Sequence, residues 1–297
     1  MSMPIPPAVH GDLQALLELA RREDVGPGDV TSTILPADVQ AVGRFVAREP
    51  MTLAGIALLG EIAQAYDGEL TTELLTDDAQ TVAAGTPLAE WRGPARSMLT
   101  AERVALNFLQ RLCGIATLTA RYVAEVQGTS AGVYDTRKTT PGWRELEKYA
   151  VRCGGGRNHR KGLYDAILVK DNHLAILHRS GVEDPVAALP EVLGKLRNRH
   201  PHLQFVQLEV DTLDQLRTAL TLPVDIILLD NMTPDQLRQA VALREEAGRQ
   251  DAIELEASGG ISLQTLRGIA ETGVDRISVG AITHSAKAVD VGLDVEV

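Results

Sequence analysis

Only two cysteines occur in 297 residues, Cys113 and Cys153, and the sequence has no CxxC pair. That makes a disulfide framework and a structural zinc site poor readings and fits a reducing compartment. No apolar run approaches the roughly 18 to 20 residues that cross a bilayer. The N-terminal stretch MSMPIPPAVHGDLQALLELARRED lacks a basic region followed by an apolar one. Neither a membrane span nor a signal peptide is expected, and a cytoplasmic location follows. Positive charge is in deficit, with a formal net charge of −11. A chain this acidic is a poor binder of nucleic acid through its whole surface. There is no low-complexity tract and no fixed-period repeat.

Two phosphate-binding signatures are also missing. No GxGxxG follows a strand, and no GxxxxGK[ST] occurs. The ribose-phosphate motif of the commonest phosphoribosyltransferases, an apolar run followed by two adjacent acids and Thr-Gly, has no counterpart: IILLDN carries one acid.

What is present is unevenly distributed. Hydrophobic residues make up 44% of the chain, enough for one large α/β domain or two moderate ones. Between Tyr134 and His173 the sequence holds nine Lys or Arg against five acids, a segment at +4 inside an acidic chain. Such an island suits a small polyanion better than a long polymer. It contains RCGGGRNHRKG, Arg152 to Gly162, where three glycines lead into Arg157, His159, Arg160 and Lys161.

The pattern changes near Gly114. Before it, an amphipathic helix at Leu13 to Arg22 and short segments such as GRFVARE and PLAEW, punctuated by Gly26-Pro27-Gly28 and Gly93-Pro94, predict a small α/β sandwich. A helix from about Ser97 to Cys113 follows, apolar at Ala101, Val104, Ala105, Phe108, Leu109 and Leu112, with a polar stripe at Arg103, Asn107 and Gln110. After Gly114, six apolar runs (GVYDT, AILVKD, FVQLEV, DIILLD, IELEAS and RISVGA) are set among helical patterns. That alternation predicts a parallel sheet covered on both faces, and the spacing favours a barrel over an open sheet. The domains expected are residues 1–115, joined by the C-terminal tail 285–297, and the barrel 116–284.

In α/β barrels the C-terminal strand ends build the active site. Here those ends carry Asp135-Thr136-Arg137-Lys138, Lys170-Asp171-Asn172, Glu209, Asp230-Asn231, Ser258-Gly259-Gly260 and Gly280. Glu209 and Asp230 precede capping boxes, TLDQ and TPDQ, that already have their own N-caps. A buried carboxylate with no capping job needs a cation or a metal, and the pattern alone does not say which. Arg137 suits a carboxylate or phosphate bidentately, whereas Lys138 is a mobile point charge. Lys170 reads as an anion ligand, a Schiff-base nucleophile or a rim lysine. His159, between two arginines, reads as a neutral donor.

The stretch DTRKTTPGWRELEKYAVRCGGGRNHRKGLYDAILVKDNH closely resembles the quinolinate phosphoribosyltransferases, the carboxylating nicotinate-nucleotide pyrophosphorylases. So do REDVGPGDVTS, LTAERVALNFLQRLCGIAT, LEVDTLDQL, IILLDNMTP, ASGGI and GVDRISVGAITHS. The resemblance implies an N-terminal α/β sandwich on an incomplete, seven-stranded α/β barrel, the type II phosphoribosyltransferase-like fold. It implies phosphoribosyl transfer from phosphoribosyl pyrophosphate to quinolinate with Mg²⁺, giving nicotinate mononucleotide, pyrophosphate and CO₂. Matching residues imply roles: Arg137, His159, Arg160 and Lys170 for the quinolinate carboxylates, and Thr136 and Lys138 for substrate. Glu209 and Asp230 would hold the ribose hydroxyls and Mg²⁺, largely through water. Ser258, Gly259, Gly260, Gly280 and Ala281 would take the 5-phosphate, with His284 nearby. Arg103 would enter the neighbouring subunit's site, so a homodimer or higher oligomer with shared sites is implied. Lys138, Lys170, Glu209 and Asp230 are the implied catalytic residues. Arg157 stands where relatives carry a small residue. A Schiff-base aldolase and a non-catalytic oxyanion-binding protein are the competing readings.

Overall fold

Pro7 occupies the first helical position, where a missing N–H costs nothing, so the first helix, α1 (Pro7–Asp24), begins ahead of its apolar periodicity. Val9, Leu13 and Leu17 form its buried stripe. The computed structural model describes residues 4–297. They fall into two compact units: unit 1 takes in the chain up to Arg121, Lys138–Gly156 and Ile282–Val297, and unit 2 comprises Tyr122–Arg137 and Arg157–Ala281.

In unit 1, α1 is followed by β1 (Gln40–Ala47), β2 (Met51–Thr52), α2 (Leu59–Tyr66), β3 (Thr71–Leu74), β4 (Thr81–Val82), β5 (Pro87–Pro94) and the long α3 (Ala95–Glu125). An antiparallel sheet runs in the order C-terminal strand, β1, β5, β3. That last strand, β12 (Val291–Glu296), pairs along β1 with Glu296 opposite Val42. Phe45 and Trp91, both fully buried, meet edge to face at 4.8 Å beneath the sheet.

The domain boundary expected at residues 115/116 falls inside α3. Gly114 does not end the helix: a Cβ there would collide with the carbonyl of Lys287, so its small size serves close backbone approach. Residues 138–156, expected in the barrel, group with unit 1. The reason lies in α4 (Arg144–Cys153). Its Glu147 is fully buried and accepts from Arg111 Nη2 at 2.7 Å and Thr140 Oγ1 at 2.8 Å. Tyr149 donates to Asp78 at 2.7 Å.

Unit 2 alternates β6 (Gly132–Tyr134), β7 (Ile167–Val169), α5 (Asp171–Arg179), α6 (Pro185–Arg199), β8 (Val206–Val210), α7 (Leu213–Ala219), β9 (Ile226–Asp230), α8 (Pro234–Glu246), β10 (Glu254–Ser258), α9 (Leu263–Ala270) and β11 (Arg276–Ser278). A short helix, α10 (Ala281–His284), spans the boundary back to unit 1. The six strands are parallel in the order β6-β11-β10-β9-β8-β7. The first strand pairs with the last, which rolls the sheet into a barrel. A single bridge between Tyr134 and Arg157 supplies the seventh position. Among the described residues no pairing joins Arg157 to β7, so the barrel is incomplete. Thr212 and Thr233 cap α7 and α8 as their sequences predict. Among the described residues no helix is long and apolar enough to cross a membrane.

Candidate active site

The three glycines of RCGGGRNHRKG end α4. The N–H groups of Gly154, Gly155 and Gly156 return to the carbonyls of Ala150, Arg152 and Val151, and Gly155 takes φ of 81°. A Cβ on Gly156 would lie 2.7 Å from Thr119 Cγ2, so glycine is required by packing, not by a phosphate. Arg157 then joins the edge of β6, with its N–H on Val133 and its carbonyl accepting from Asp135. Its exposed side chain reaches the Tyr134 hydroxyl at 3.3 Å. Asp135, fully buried, accepts from Asn158 Nδ2 at 2.7 Å and His159 N at 2.8 Å. This pins the turn and sends His159 and Arg160 into the barrel.

Arg160 is 7% exposed and donates to the Ala166 carbonyl at 3.3 Å. Burial holds its guanidinium below the ordinary arginine value, and the adjacent Arg137 pushes the same way against Asp165. The Nε atoms of both Arg137 and Arg160 are buried without a hydrogen-bond partner. Two neighbouring guanidiniums with orphaned donors form an anion site that wants more than one negative charge. His159 is 8% exposed. Its Nδ1 accepts from Arg160 N at 2.7 Å and its Nε2 faces Gln207 Oε1 at 2.9 Å.

Lys170, the residue before α5, places Nζ 3.1 Å from Glu209 Oε2. Asp230 ends β9, and Glu209 stands one residue before the end of the adjacent β8, where it registers with Leu228. Asp230 accepts from Asn231 Nδ2 at 2.7 Å and registers with Ser258 across β9 and β10. After Ser258, Gly259 and Gly260 both take positive φ, 95° and 59°. Asn231, itself at φ 53°, anchors this turn by donating its N–H to the Ser258 carbonyl at 2.9 Å. Gly280 and Ala281 follow β11.

Thr136, Arg137, His159, Arg160, Lys170, Glu209, Asp230, Ser258, Gly259, Gly260, Gly280 and Ala281 therefore belong to unit 2. Arg103, Lys138 and His284 belong to unit 1. Arg103 is exposed on α3, and the Lys138 carbonyl accepts from Thr283 Oγ1 at 2.8 Å, next to His284.

Sequence reasoning missed a polar layer inside the barrel. Gln207, Glu256 and Arg276 alternate with apolar residues on β8, β10 and β11, and all three are buried. Arg276 Nε bonds Glu256 Oε2 at 2.8 Å and its guanidinium lies 3.7 Å from the centre of the Tyr134 ring. FVQLEV, IELEAS and RISVGA do carry polar residues at alternate positions, but the alternation alone does not say which face of the strand is the barrel interior.

A parallel strand ring with cations, carboxylates and a glycine turn at its strand ends defines an α/β-barrel enzyme for anionic small molecules. Known proteins narrow that class. The sequence model of the quinolinate phosphoribosyl transferase N-terminal domain matches residues 29–113, and that of the C-terminal domain matches residues 115–294. The chain is 40% identical over 286 residues to a probable carboxylating nicotinate-nucleotide pyrophosphorylase of Bacillus subtilis, covering 96% of this chain and 94% of that one. It is 40% identical over 292 residues to the carboxylating nicotinate-nucleotide pyrophosphorylase of Mycobacterium leprae, covering 97% and 94%. The solved nicotinate-nucleotide pyrophosphorylase of Francisella tularensis superposes with a TM-score of 0.87 at 36% identity over 100% of both chains. The chain belongs to the quinolinate phosphoribosyltransferase family.

Proposed function

We propose that the strand ends of the unit 2 barrel carry out decarboxylating phosphoribosyl transfer from phosphoribosyl pyrophosphate to quinolinate. The products are nicotinate mononucleotide, pyrophosphate and CO₂, a step of NAD biosynthesis. The observation that carries the reading is the Arg137–Arg160 pair, whose Nε donors are both buried and unpartnered. Quinolinate brings two adjacent carboxylates, and each charge-assisted hydrogen bond contributes on the order of 1.5–3 kcal/mol. Thr136 completes that side, His159 stands directly behind Arg160, and Lys170 swings from Glu209 to the dicarboxylate.

Pyrophosphate leaves the ribose C1 as the pyridine nitrogen attacks from the opposite face. The nitrogen becomes quaternary, so the ring accepts the electron pair left when the C2 carboxylate departs as CO₂. A proton then adds at C2. Lys138 meets the phosphoribosyl pyrophosphate. The glycine turn at Ser258–Gly260, with Gly280 and Ala281, offers backbone N–H groups to the 5-phosphate.

Glu209 and Asp230 suit Mg²⁺ in donor chemistry, being two hard carboxylates at neighbouring strand ends. Two ligands are too few for a dedicated cage and enough for an ion that keeps its waters and takes substrate phosphates. Bound there, the ion would neutralise charge on the departing pyrophosphate. Lys170, with its side chain 46% exposed and ion-paired, is not the desolvated amine that a Schiff-base aldolase needs. The working assembly is a cytoplasmic homodimer in which Arg103 serves the neighbouring subunit's site.

Incubation with quinolinate, phosphoribosyl pyrophosphate and Mg²⁺ tests the reaction, with nicotinate as the control acceptor. One CO₂ and one pyrophosphate should appear per nicotinate mononucleotide. Turnover of nicotinate in preference to quinolinate would overturn the assignment.

A further inference from the structure

The His159 ring is engaged by the protein at both nitrogens. The Arg160 backbone nitrogen, 2.7 Å from Nδ1, has only a proton to offer, so Nδ1 carries a lone pair and the ring proton sits on Nε2. Nε2 points down the barrel, 2.9 Å from Gln207 Oε1 and 3.4 Å from Glu256 Oε1. Phe205 meets the ring edge-on at 5.3 Å. Glu256 is fully buried mid-strand, where an isolated carboxylate would be costly. Arg276 holds its other oxygen at 2.8 Å and extends the chain of contacts to Glu254 at 3.0 Å. Burial alone would raise the Glu256 pKa, but His159 and Arg276 together hold it below the ordinary carboxylate range. The carboxylate is therefore charged and fixes the side of the imidazole that bears hydrogen.

We propose that His159 is a positioning residue: Gln207 and Glu256 lock its Nε2–H tautomer, and its Nδ1 lone pair holds the Arg160 amide and thereby sets the Arg160 guanidinium. A substrate carboxylate requires an N–H, and the single ring N–H is directed at Gln207 and Glu256. Protonating Nδ1 would set two hydrogens against each other at the Arg160 amide. The inference rests on the reading that Arg160 takes a quinolinate carboxylate.

Two substitutions separate the two ring nitrogens. His159→Asn puts an acceptor oxygen where Nδ1 sits and has nothing at Nε2. His159→Gln puts an amide donor near Nε2 and has no acceptor at Nδ1. Positioning through Nδ1 predicts that KM for quinolinate rises about tenfold more in His159→Gln than in His159→Asn, with kcat moving less, the size of one lost hydrogen bond. The reverse ranking, with KM raised in Arg160→Ala, overturns the inference alone. An unchanged KM in Arg160→Ala instead overturns the carboxylate clamp on which it rests. Should either His159 variant fail to fold, ¹⁵N-histidine spectra of the wild-type enzyme decide. Nδ1 should stay unprotonated with and without quinolinate, and an Nδ1–H or doubly protonated ring in the complex would sink the proposal.

Discussion

At Asp29 one carboxylate organises the turn that follows α1. Its Oδ2 accepts from Ser32 Oγ at 2.5 Å and Thr100 Oγ1 at 2.9 Å, and its Oδ1 from the N–H groups of Thr31 and Ser32. These bonds, led by the Ser32 hydroxyl, draw its pKa from the ordinary 3.8 to about 2. A depressed folded-state pKa stabilises above the unfolded value and is lost as pH falls through the folded one. The Tm advantage of the wild type over Asp29→Asn should therefore be full at about pH 5 and shrink towards about pH 2. A constant advantage across that range would remove the linkage. The cationic site residues were legible one by one, because a lysine or arginine next to an apolar run is conspicuous. Gln207, Glu256 and Arg276 were not, because a polar residue inside a strand looks the same whether it faces solvent or a barrel interior. Only the register of β8, β10 and β11 separates the two.

Among the elements, the turn after β10 makes the sharpest demand on its residues. Gly259 sits at φ 95°, and a Cβ there would run into the Asn231 side chain. Gly259→Ala thus combines backbone strain with a clash, a local cost of about 1–3 kcal/mol. KM for phosphoribosyl pyrophosphate should rise about tenfold while KM for quinolinate moves less, if the turn carries the 5-phosphate. Equal effects on both substrates would place the phosphate elsewhere. The N-caps of α7 and α8 were legible because their signals are local, although only α8 closes the full capping box. The continuation of α3 through Gly114 was not, since the reason for that glycine is a carbonyl at Lys287, far along the chain.

For the whole molecule, family and activity were readable because motifs run through most of the chain, whereas the membership of units 1 and 2 was not. The chain crosses between the units three times between residues 121 and 157, and the local sequence pattern does not mark the crossings. The shared-site reading makes a quantitative claim. Mixed Arg103→Ala and Arg137→Ala proteins, each nearly inactive, should regain about a quarter of wild-type activity on subunit exchange, since half the dimers are mixed and each holds one intact site. No recovery would leave Arg103 serving its own subunit.

On one flank β1 pairs antiparallel with β5 and on the other with β12, the last strand of the sheet in chain order. A ribosome releases β1 with one flank of hydrogen-bonding groups unclaimed, and it stays so until β12 has been made. The sheet of unit 1 is thus completed only once β12 has emerged, and a chain lacking β12 carries an open, adhesive strand edge that a chaperone or a second chain could seize first.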